Sequence, residues 1–213
     1  MVAKLITVAQ QKGGAGKTTL AIHLATAFAL QGRSVCLVDI DPQGSVAAWG
    51  ALREARRGQD DALQVVAVAG WRAGSELDRR KRSCDIVIID SPPHAEAEAK
   101  LAIRAADLAL IPVQLTPLDR WAATVTIDLA RKERVPILLV PNRVTARNRL
   151  ADTVRAELEA EGLPVAASGL GNRTVFAASL GEGAGVGESA PGSVAAAEID
   201  ALAAEIAGRL GLV

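Results

Sequence analysis

A glycine-rich turn between a short apolar run and a helical pattern is the feature that most constrains the fold. Residues 13–19 read Gly-Gly-Ala-Gly-Lys-Thr-Thr, between the apolar run 5–9 and an Ala-rich helical pattern over 18–31. Glycines allow the backbone N–H groups of such a turn to face an anion, and the N-terminus of the following helix adds favourable partial charge. The sequence therefore predicts a phosphate-binding loop that opens an α/β fold.

The loop is a variant of the pattern G-x-x-x-x-G-K-[ST]. The first glycine of that pattern would fall on Gln11, and Lys12 stands directly before the glycine pair instead. In such loops the lysine contacts the β and γ phosphates and the hydroxyl binds Mg²⁺. The predicted nucleotide-binding residues of the loop are Gly13, Gly14, Ala15, Gly16, Lys17, Thr18 and Thr19.

Short apolar runs recur along the chain and alternate with longer Ala-rich stretches. The runs lie at 5–9, 35–38, 65–68, 86–89, 108–113 and 137–140. None alternates with polar residues, which is typical of strands buried on both faces of a parallel sheet. Helical patterns cover 18–31, 117–132, 149–161 and 193–210, and Gly32 and Gly162 stand where left-handed caps are expected. We predict one domain over 1–213, a doubly wound α/β fold with a mostly parallel sheet flanked by helices, with residues 181–187 as a loop.

Three aspartates follow predicted strands. Asp39 and Asp41 come after the second run, and Asp90 ends the fourth. In open α/β sheets ligands bind beyond the carboxyl ends of the strands, so these carboxylates are expected beside the phosphate loop. An Asp after four apolar strand residues is the Walker B arrangement that holds Mg²⁺. Thr18, Asp39 and Asp90 are therefore the predicted metal-binding residues.

Composition excludes several classes of function. Lys plus Arg and Asp plus Glu number 24 each, so no global attraction to nucleic acid is implied. Only five residues are Phe or Trp, too few for base-stacking platforms. Cys36 and Cys84 lie in or beside apolar runs and are interpreted as buried thiols of a cytoplasmic protein. No apolar run approaches the roughly 18 residues of a membrane span, and the N-terminal run is too short for a secretory signal.

Several motifs together resemble the ParA/MinD group of deviant Walker ATPases. They are KGGAGKTT at 12–19, VDIDPQGS at 38–45 and IIDSPP at 88–93, and the similarity continues through LTPLD at 115–119, PNRV at 141–144 and G-x-x-V-x-E at 183–188. The resemblance spans essentially the whole chain and is greatest to the small ParA subgroup. Ala15 replaces the usual Val and Ser91 a frequent Thr, and neither change removes a functional group.

The resemblance implies an ATPase whose cofactors are ATP and Mg²⁺. By matching position, the catalytic residues are Lys12, which reaches the ATP of a partner subunit, Lys17, which contacts phosphate, and Asp41, which positions the attacking water. Asn142 matches a residue that binds adenine. The family further implies a homodimer with ATP sandwiched between its subunits, non-specific DNA binding by that dimer, and hydrolysis stimulated by a ParB-like adaptor.

The sequence does not determine which cellular process the ATPase serves. Arg147, Arg149 and Arg173 are candidate DNA-binding residues, since phosphate contacts need only basic side chains on one face. The last 19 residues contain more acidic than basic side chains, which disfavours a MinD-like membrane helix, so the expected location is cytoplasmic and nucleoid-associated. Remaining alternatives are a biosynthetic ligase of the cobyrinic acid amidase or dethiobiotin synthetase type, an electron-transfer ATPase like the nitrogenase iron protein, and a scaffold that binds nucleotide without turnover.

Overall fold

The computed structural model describes residues 2–93, 96–145 and 147–212. Its centre is a six-stranded parallel sheet with the order β3-β2-β4-β1-β5-β6. The strands are β1 (Lys4–Val8), β2 (Val35–Asp39), β3 (Leu63–Ala67), β4 (Ile86–Asp90), β5 (Leu108–Val113) and β6 (Ile137–Pro141). All six predicted strands are present, and the predicted α/β fold is confirmed.

Helices connect the strands and cover both faces of the sheet. They are α1 (Lys17–Leu30), α2 (Ser45–Arg57), α3 (Ala73–Arg80), α4 (Glu96–Ala105), α5 (Pro117–Lys132), α6 (Arg149–Ala160), α7 (Thr174–Gly181), α8 (Val186–Ser189) and α9 (Val194–Leu210). A short 3₁₀ turn over Gly70–Arg72 precedes α3. The four predicted helices agree with α1, α5, α6 and α9 to within one residue at each end, and Gly32 and Gly162 have the left-handed φ expected of caps.

Alternate residues of each central strand enter different cores. Ile6 and Val8 of β1 pack with α1 and α9 on one face, whereas Leu5 packs with α3 and α4 on the other. Also on that second face, α5 and α6 pack against β5 and β6. Because apolar side chains are buried on both sides, the strands have the unbroken apolar runs that the sequence shows.

One expectation about the fold was wrong. The third strand is not buried on both faces, because it forms an edge of the sheet and exposes Gln64 and Ala67. The predicted loop at 181–187 is present over 182–185, whereas Gly181 ends α7 and Val186 begins α8. Its glycines allow close packing: a Cβ on Gly183 would lie 2.8 Å from the backbone N of Arg53, and one on Gly185 would clash with Thr26.

Candidate functional site

The loop between β1 and α1 has the conformation of an anion-binding turn. Gly14 and Gly16 have φ values of 75° and 89°, which favour glycine, and Ala15 is buried between them. Helix α1 begins at Lys17 and has no acidic residue in its first turn. The free N–H groups of that turn therefore point to the carboxyl edge of the sheet, and the N-cap Gly16 provides no side-chain hydrogen bond to them.

Lys17 is a buried cation at the centre of this loop. The residue is only 6% exposed, and within the described ranges its ammonium has no ion-pair partner. Burial lowers the pKa of Lys17, and the charges of Asp90 and Asp41 oppose that shift. A buried ammonium without a bound anion is unfavourable, so the site is suited to receive one.

Thr18 and Asp90 form the pair predicted to bind the metal. The Thr18 hydroxyl donates to Oδ2 of Asp90 over 2.7 Å. Burial raises the pKa of Asp90 to about 7, helped by Asp39 and opposed by the Thr18 hydrogen bond. Its Oδ1 is buried without a hydrogen-bond partner among the described residues. A hydroxyl and an unsatisfied carboxylate oxygen fit Mg²⁺, which takes few protein ligands and completes its shell with phosphate and water.

Asp39 and Asp41 shape the turn that leads into α2. The two oxygens of Asp39 accept from the N–H groups of Asp41 and Ala47, each over 3.0 Å, and Asp41 accepts from the N–H of Gln43 over 2.9 Å. Burial raises the pKa of Asp39, and those two backbone hydrogen bonds oppose the shift. The structure thus places both carboxylates at the predicted edge. The metal role of Asp39 and the water-positioning role of Asp41 stay predictions.

Lys12 lies at the rim of the loop and contacts α5. Its ammonium is 3.0 Å from Oδ1 of Asp119, and the two side chains are 38% and 4% exposed. The Thr116 hydroxyl donates to Oδ2 of Asp119 over 2.6 Å and accepts from its backbone N–H, which caps α5. Lys12 is therefore held at the surface by a carboxylate that belongs to a helix cap. The sequence Thr-Pro-Leu-Asp is typical of such a cap, although we did not predict the contact with Lys12.

Asn142 packs directly on the phosphate loop, which sequence reasoning did not predict. Its amide donates to the carbonyl of Ala15 over 2.7 Å, and its Oδ1 accepts from the N–H of Arg143. The Nδ2 atom occupies the space that a Cβ on Gly16 would need. Asn142 thereby links the end of β6 to the loop, and its role toward adenine stays a prediction.

A second buried cluster, also missed by the sequence analysis, lies behind α2. Arg53 pairs with Glu188 over 2.8 Å and with Asp60 over 2.6 Å, and donates to the carbonyl of Gly183. These contacts tie α2 to α8. The sequence element at 183–188 drew attention to Glu188, but nothing in the sequence indicated which residue would pair with it.

The candidate DNA-binding residues follow two chain segments that pair with each other, because Val144 and Gly171 form a β-bridge and the N–H of Asn172 donates to the carbonyl of Val144 over 3.0 Å. Arg147 and Arg149 are exposed beside the start of α6, near the loop after β6. Arg173 precedes α7 and donates to the carboxylate of Glu198 over 2.7 Å, which raises its pKa and neutralises its charge. Arg173 is thus less available to phosphate than the other two.

Other sequence expectations concern the cysteines and membrane association. Cys36 and Cys84 are buried free thiols, and burial raises the pKa of Cys36 to about 12. None of the described helices combines the length and apolar character needed to cross a bilayer. In the acidic C-terminal helix, Glu198 and Glu205 pair with Arg173 and Arg209.

Comparisons with known proteins show the family of this chain. The model of the CobQ/CobB/MinD/ParA nucleotide binding domain matches residues 6–185. The maintenance of carboxysome distribution protein A of Halothiobacillus neapolitanus is 32% identical over 209 residues, covering 94% of this chain and 95% of the relative. The sporulation initiation inhibitor protein Soj of Bacillus subtilis is 32% identical over 147 residues, covering 52% of this chain and 58% of Soj.

A solved structure shares the fold and was determined with the predicted kind of cofactor. The septum site-determining protein MinD of Pyrococcus horikoshii, complexed with Mg-ADP, aligns with a TM-score of 0.80 over 99% of this chain and 98% of its own, at 20% identity. Because the family model covers most of the chain, and the loop, Lys17, Thr18 and Asp90 are arranged as such a site requires, this chain belongs to the CobQ/CobB/MinD/ParA nucleotide-binding family and is a P-loop ATPase.

Proposed function

We propose that this ATPase dimerises on binding Mg-ATP, binds DNA non-specifically as the dimer, and is released when an adaptor protein stimulates hydrolysis. Its output is the positioning of a cellular cargo along DNA. The similarity to a carboxysome distribution protein over nearly the full length of both chains supports this output, whereas the match to Soj covers about half of each.

The residues of one chain supply most of the nucleotide site. Backbone N–H groups of the loop and the Lys17 ammonium contact the phosphate oxygens, and Asn142 fixes the loop against β6. Thr18 and Asp90 would hold Mg²⁺, which would supply charge neutralisation at the phosphates of the nucleotide. Asp41, exposed enough to meet solvent, orients the attacking water. Positioning and charge neutralisation are the main requirements of phosphoryl transfer, so this set needs little further chemistry.

The position of Lys12 is the observation that carries the dimer proposal. It stands at the rim of the phosphate loop with an accessible ammonium, held by Asp119 on α5. The same helix exposes Leu118, Trp121 and Val125. These residues recur at the spacing of one helix face and form an apolar stripe beside Lys12. Covering that stripe with a second subunit would bring Lys12 toward the partner's nucleotide.

Light scattering on size-exclusion fractions tests the dimer. We expect wild-type protein to be a dimer with Mg-ATP and a monomer with Mg-ADP, and Lys12→Ala to stay a monomer in both. Lys132→Ala, at an exposed lysine on the other end of α5, is the control and should dimerise normally. A Lys12→Ala dimer with wild-type stability would refute the role of Lys12.

A salt series tests DNA binding. Binding of a random duplex should require ATP and weaken steeply with salt, because phosphate contacts release counterions. Replacing both Arg147 and Arg149 by Ala should reduce affinity and lower the salt slope by about two, whereas Arg56→Ala, at an exposed arginine on α2, should change neither. Wild-type binding that is equal with ADP and ATP would contradict the proposed switch.

Asp41→Ala tests the release step. The variant should bind ATP and form a dimer that persists after the wild-type dimer has dissociated, because water is no longer oriented for attack. The lifetime of the dimer, followed by light scattering after removal of free ATP, is the measurement. Loss of ATP binding itself would show that Asp41 has a different role.

A further inference from the structure

A groove of about 530 Å³ lies between α2 and the edge strand β3, on the side of the sheet away from α5. One wall is the face of α2 that carries Gly50, Arg53 and Glu54, and the other is β3 itself, with Asp61 at one end. A Cβ on Gly50 would lie 2.7 Å from the Val65 side chain, so glycine lets the helix sit close to the strand. The volume is in the range of sites that hold small ligands or short peptides.

The free edge of β3 offers unpaired backbone groups to this groove. The carbonyl of Ala62 accepts from Val35, and the N–H of Val68 donates to Asp39, so both residues face β2. Groups of a parallel strand alternate in direction with a period of two. Val65 and Ala67 therefore point their N–H and C=O groups away from β2, and in the described part of the chain these groups have no hydrogen-bond partner.

Arg53 brings a further unsatisfied donor to the groove. The residue is 6% exposed, and its terminal nitrogens are used by Glu188, Asp60 and the carbonyl of Gly183. Its Nε–H, in contrast, is buried without a partner among the described residues. A buried donor left unpaired costs free energy, so this wall of the groove is not fully satisfied in the free protein.

The charges that remain on the groove are negative. Arg53 is neutralised by Glu188 and Asp60, and Arg80 by Glu76. Glu54 and Asp61 are exposed at the rim, and neither has an ion-pair partner within the described ranges. A ligand with basic side chains complements this rim.

We propose that a basic, extended peptide segment of a partner protein binds here as an added strand on β3. Its backbone would pair with Val65 and Ala67, and its basic side chains would lie over Glu54 and Asp61. Strand addition to an exposed sheet edge obtains affinity from main-chain hydrogen bonds and specificity from side-chain contacts. The proposal goes beyond the nucleotide cycle and depends on none of its steps.

Both walls of the groove connect to the nucleotide site through Asp39. The N–H of Ala47, in the first turn of α2, donates to the Asp39 carboxylate, and the N–H of Val68, just after β3, donates to the Asp39 carbonyl. A peptide held between α2 and β3 would therefore contact two elements that position one carboxylate of the site. This gives a partner a direct route to the loop that carries Asp41.

Fluorescence polarisation with a labelled model peptide tests the site without nucleotide. The probe is a blocked peptide of about nine residues that alternates Lys with Val or Thr, a length that spans a strand of β3's size. In one control peptide each Lys is replaced by Glu. In the other, alternate backbone nitrogens carry N-methyl groups. We expect binding of the basic probe alone, since the controls lose the charge complementarity or the main-chain donors.

Matched variants locate the binding. Ala67→Pro removes one outward N–H from an edge strand and leaves the pairing with β2 intact, so affinity should fall about fivefold, whereas Ala67→Ser should not change it. Replacing both Glu54 and Asp61 by Lys should weaken binding more than tenfold at low salt, and Asp200→Lys, exposed on α9, should not. Circular dichroism checks folding, and if Ala67→Pro fails to fold, the charge variants decide.

Three outcomes would overturn the proposal. The first is equal binding of the basic and acidic probes. The second is binding unchanged by both Ala67→Pro and the charge reversals. The third is a nucleotide-free dimer of the wild type that Ala67→Pro dissociates, which would show that β3 pairs with a second copy of this chain.

Discussion

The ammonium of Lys12 and the carboxylate of Asp119 are joined over 3.0 Å, and this ion pair links the rim of the phosphate loop to the first turn of α5. Asp119 also receives the Thr116 hydroxyl, so its geometry is fixed by the helix cap. If Lys12 serves a partner's nucleotide, it must first leave this carboxylate. Breaking the pair costs free energy, and this cost opposes dimerisation.

Asp119→Asn should lower the ATP concentration needed for half-maximal dimerisation. The amide keeps an oxygen for Thr116 but removes the charge that holds Lys12. An ion pair with one exposed partner is worth up to about 1 kcal/mol, so the shift should be about two- to fivefold. Energy transfer between labelled subunits over an ATP titration measures it. Asp128→Asn, which affects an exposed pair with Arg131 on the same helix, is the control. A midpoint at or above the wild-type value would contradict this prediction.

Lys17→Met should separate nucleotide affinity from stability. The variant loses the cation that contacts phosphate, so affinity for ATP should fall about a hundredfold or more. Its apo form should nevertheless be at least as stable as the wild type, because burial already penalises the charged ammonium. Thermal unfolding with and without Mg-ATP tests both parts, since a bound ligand raises the melting temperature. An apo form that melts well below the wild type would show that Lys17 is mainly structural.

His23 makes the stability of the fold dependent on pH. Its Nδ1 accepts from the N–H of Val186 over 3.0 Å and its Nε2 lies 3.2 Å from the carbonyl of Phe176, so the neutral ring links α1 to α7 and α8. Burial lowers the pKa of His23 to about 4, opposed by the Phe176 hydrogen bond and the charge of Glu188. The folded pKa is below the unfolded value, so the unfolded state takes up the proton first as pH falls from about 6.5 toward 4.

When the pH falls from about 7.5 to about 5, protonation of His23 in the unfolded state should therefore lower the free energy of unfolding by about 2 kcal/mol. Urea unfolding at both pH values measures the loss. His23→Gln keeps a donor and an acceptor but does not titrate, so it should lose less over the same interval, and the difference between the proteins isolates the histidine. Equal losses in the two proteins would contradict the prediction.

The arrangement of the phosphate site could be predicted because it depends on local order and on the geometry of parallel sheets. Lys17 and Thr18 follow the loop directly, and Asp90 ends a strand whose carboxyl end must share an edge with it. The contact between Thr18 and Asp90 follows from that register. Nothing in the spacing of residues indicated that Asn142 would lie on Gly16, because that contact depends on how the strand order brings β6 and its following loop to β1.

Sequence patterns also could not predict which strand lies at the edge of the sheet, or which distant residues the glycines contact. The run at 65–68 is apolar like the others, and only the order of strands makes β3 an edge. Gly183 and Gly185 were predicted to lie in a loop, and they do. Their missing side chains also let this loop pack closely against α2 and α1, a contact that the sequence pattern does not indicate.

Gly185→Ala should destabilise the fold by a steric clash alone. The φ of Gly185 is −89°, which any residue adopts, but its Cβ would clash with the Thr26 side chain inside α1. Overpacking of this kind costs about 1–3 kcal/mol. Gly181→Ala, at a helical glycine with open space around it, is the matched control and should be neutral or stabilising. Chemical denaturation gives the free energies of unfolding.

A double-mutant cycle with Thr26→Ala then tests the cause. Thr26 donates to the backbone of Ile22 and His23 within its own helix, so shortening it breaks no hydrogen bond to another element. The change removes Oγ1, the atom nearest the added Cβ, together with Cγ2, and leaves the Cβ of residue 26 at 2.6 Å. The double variant should recover part of the loss caused by Gly185→Ala, because two of the three clashing atoms are gone. Strictly additive losses would show that the Oγ1 and Cγ2 atoms of Thr26 are not the cause of the loss.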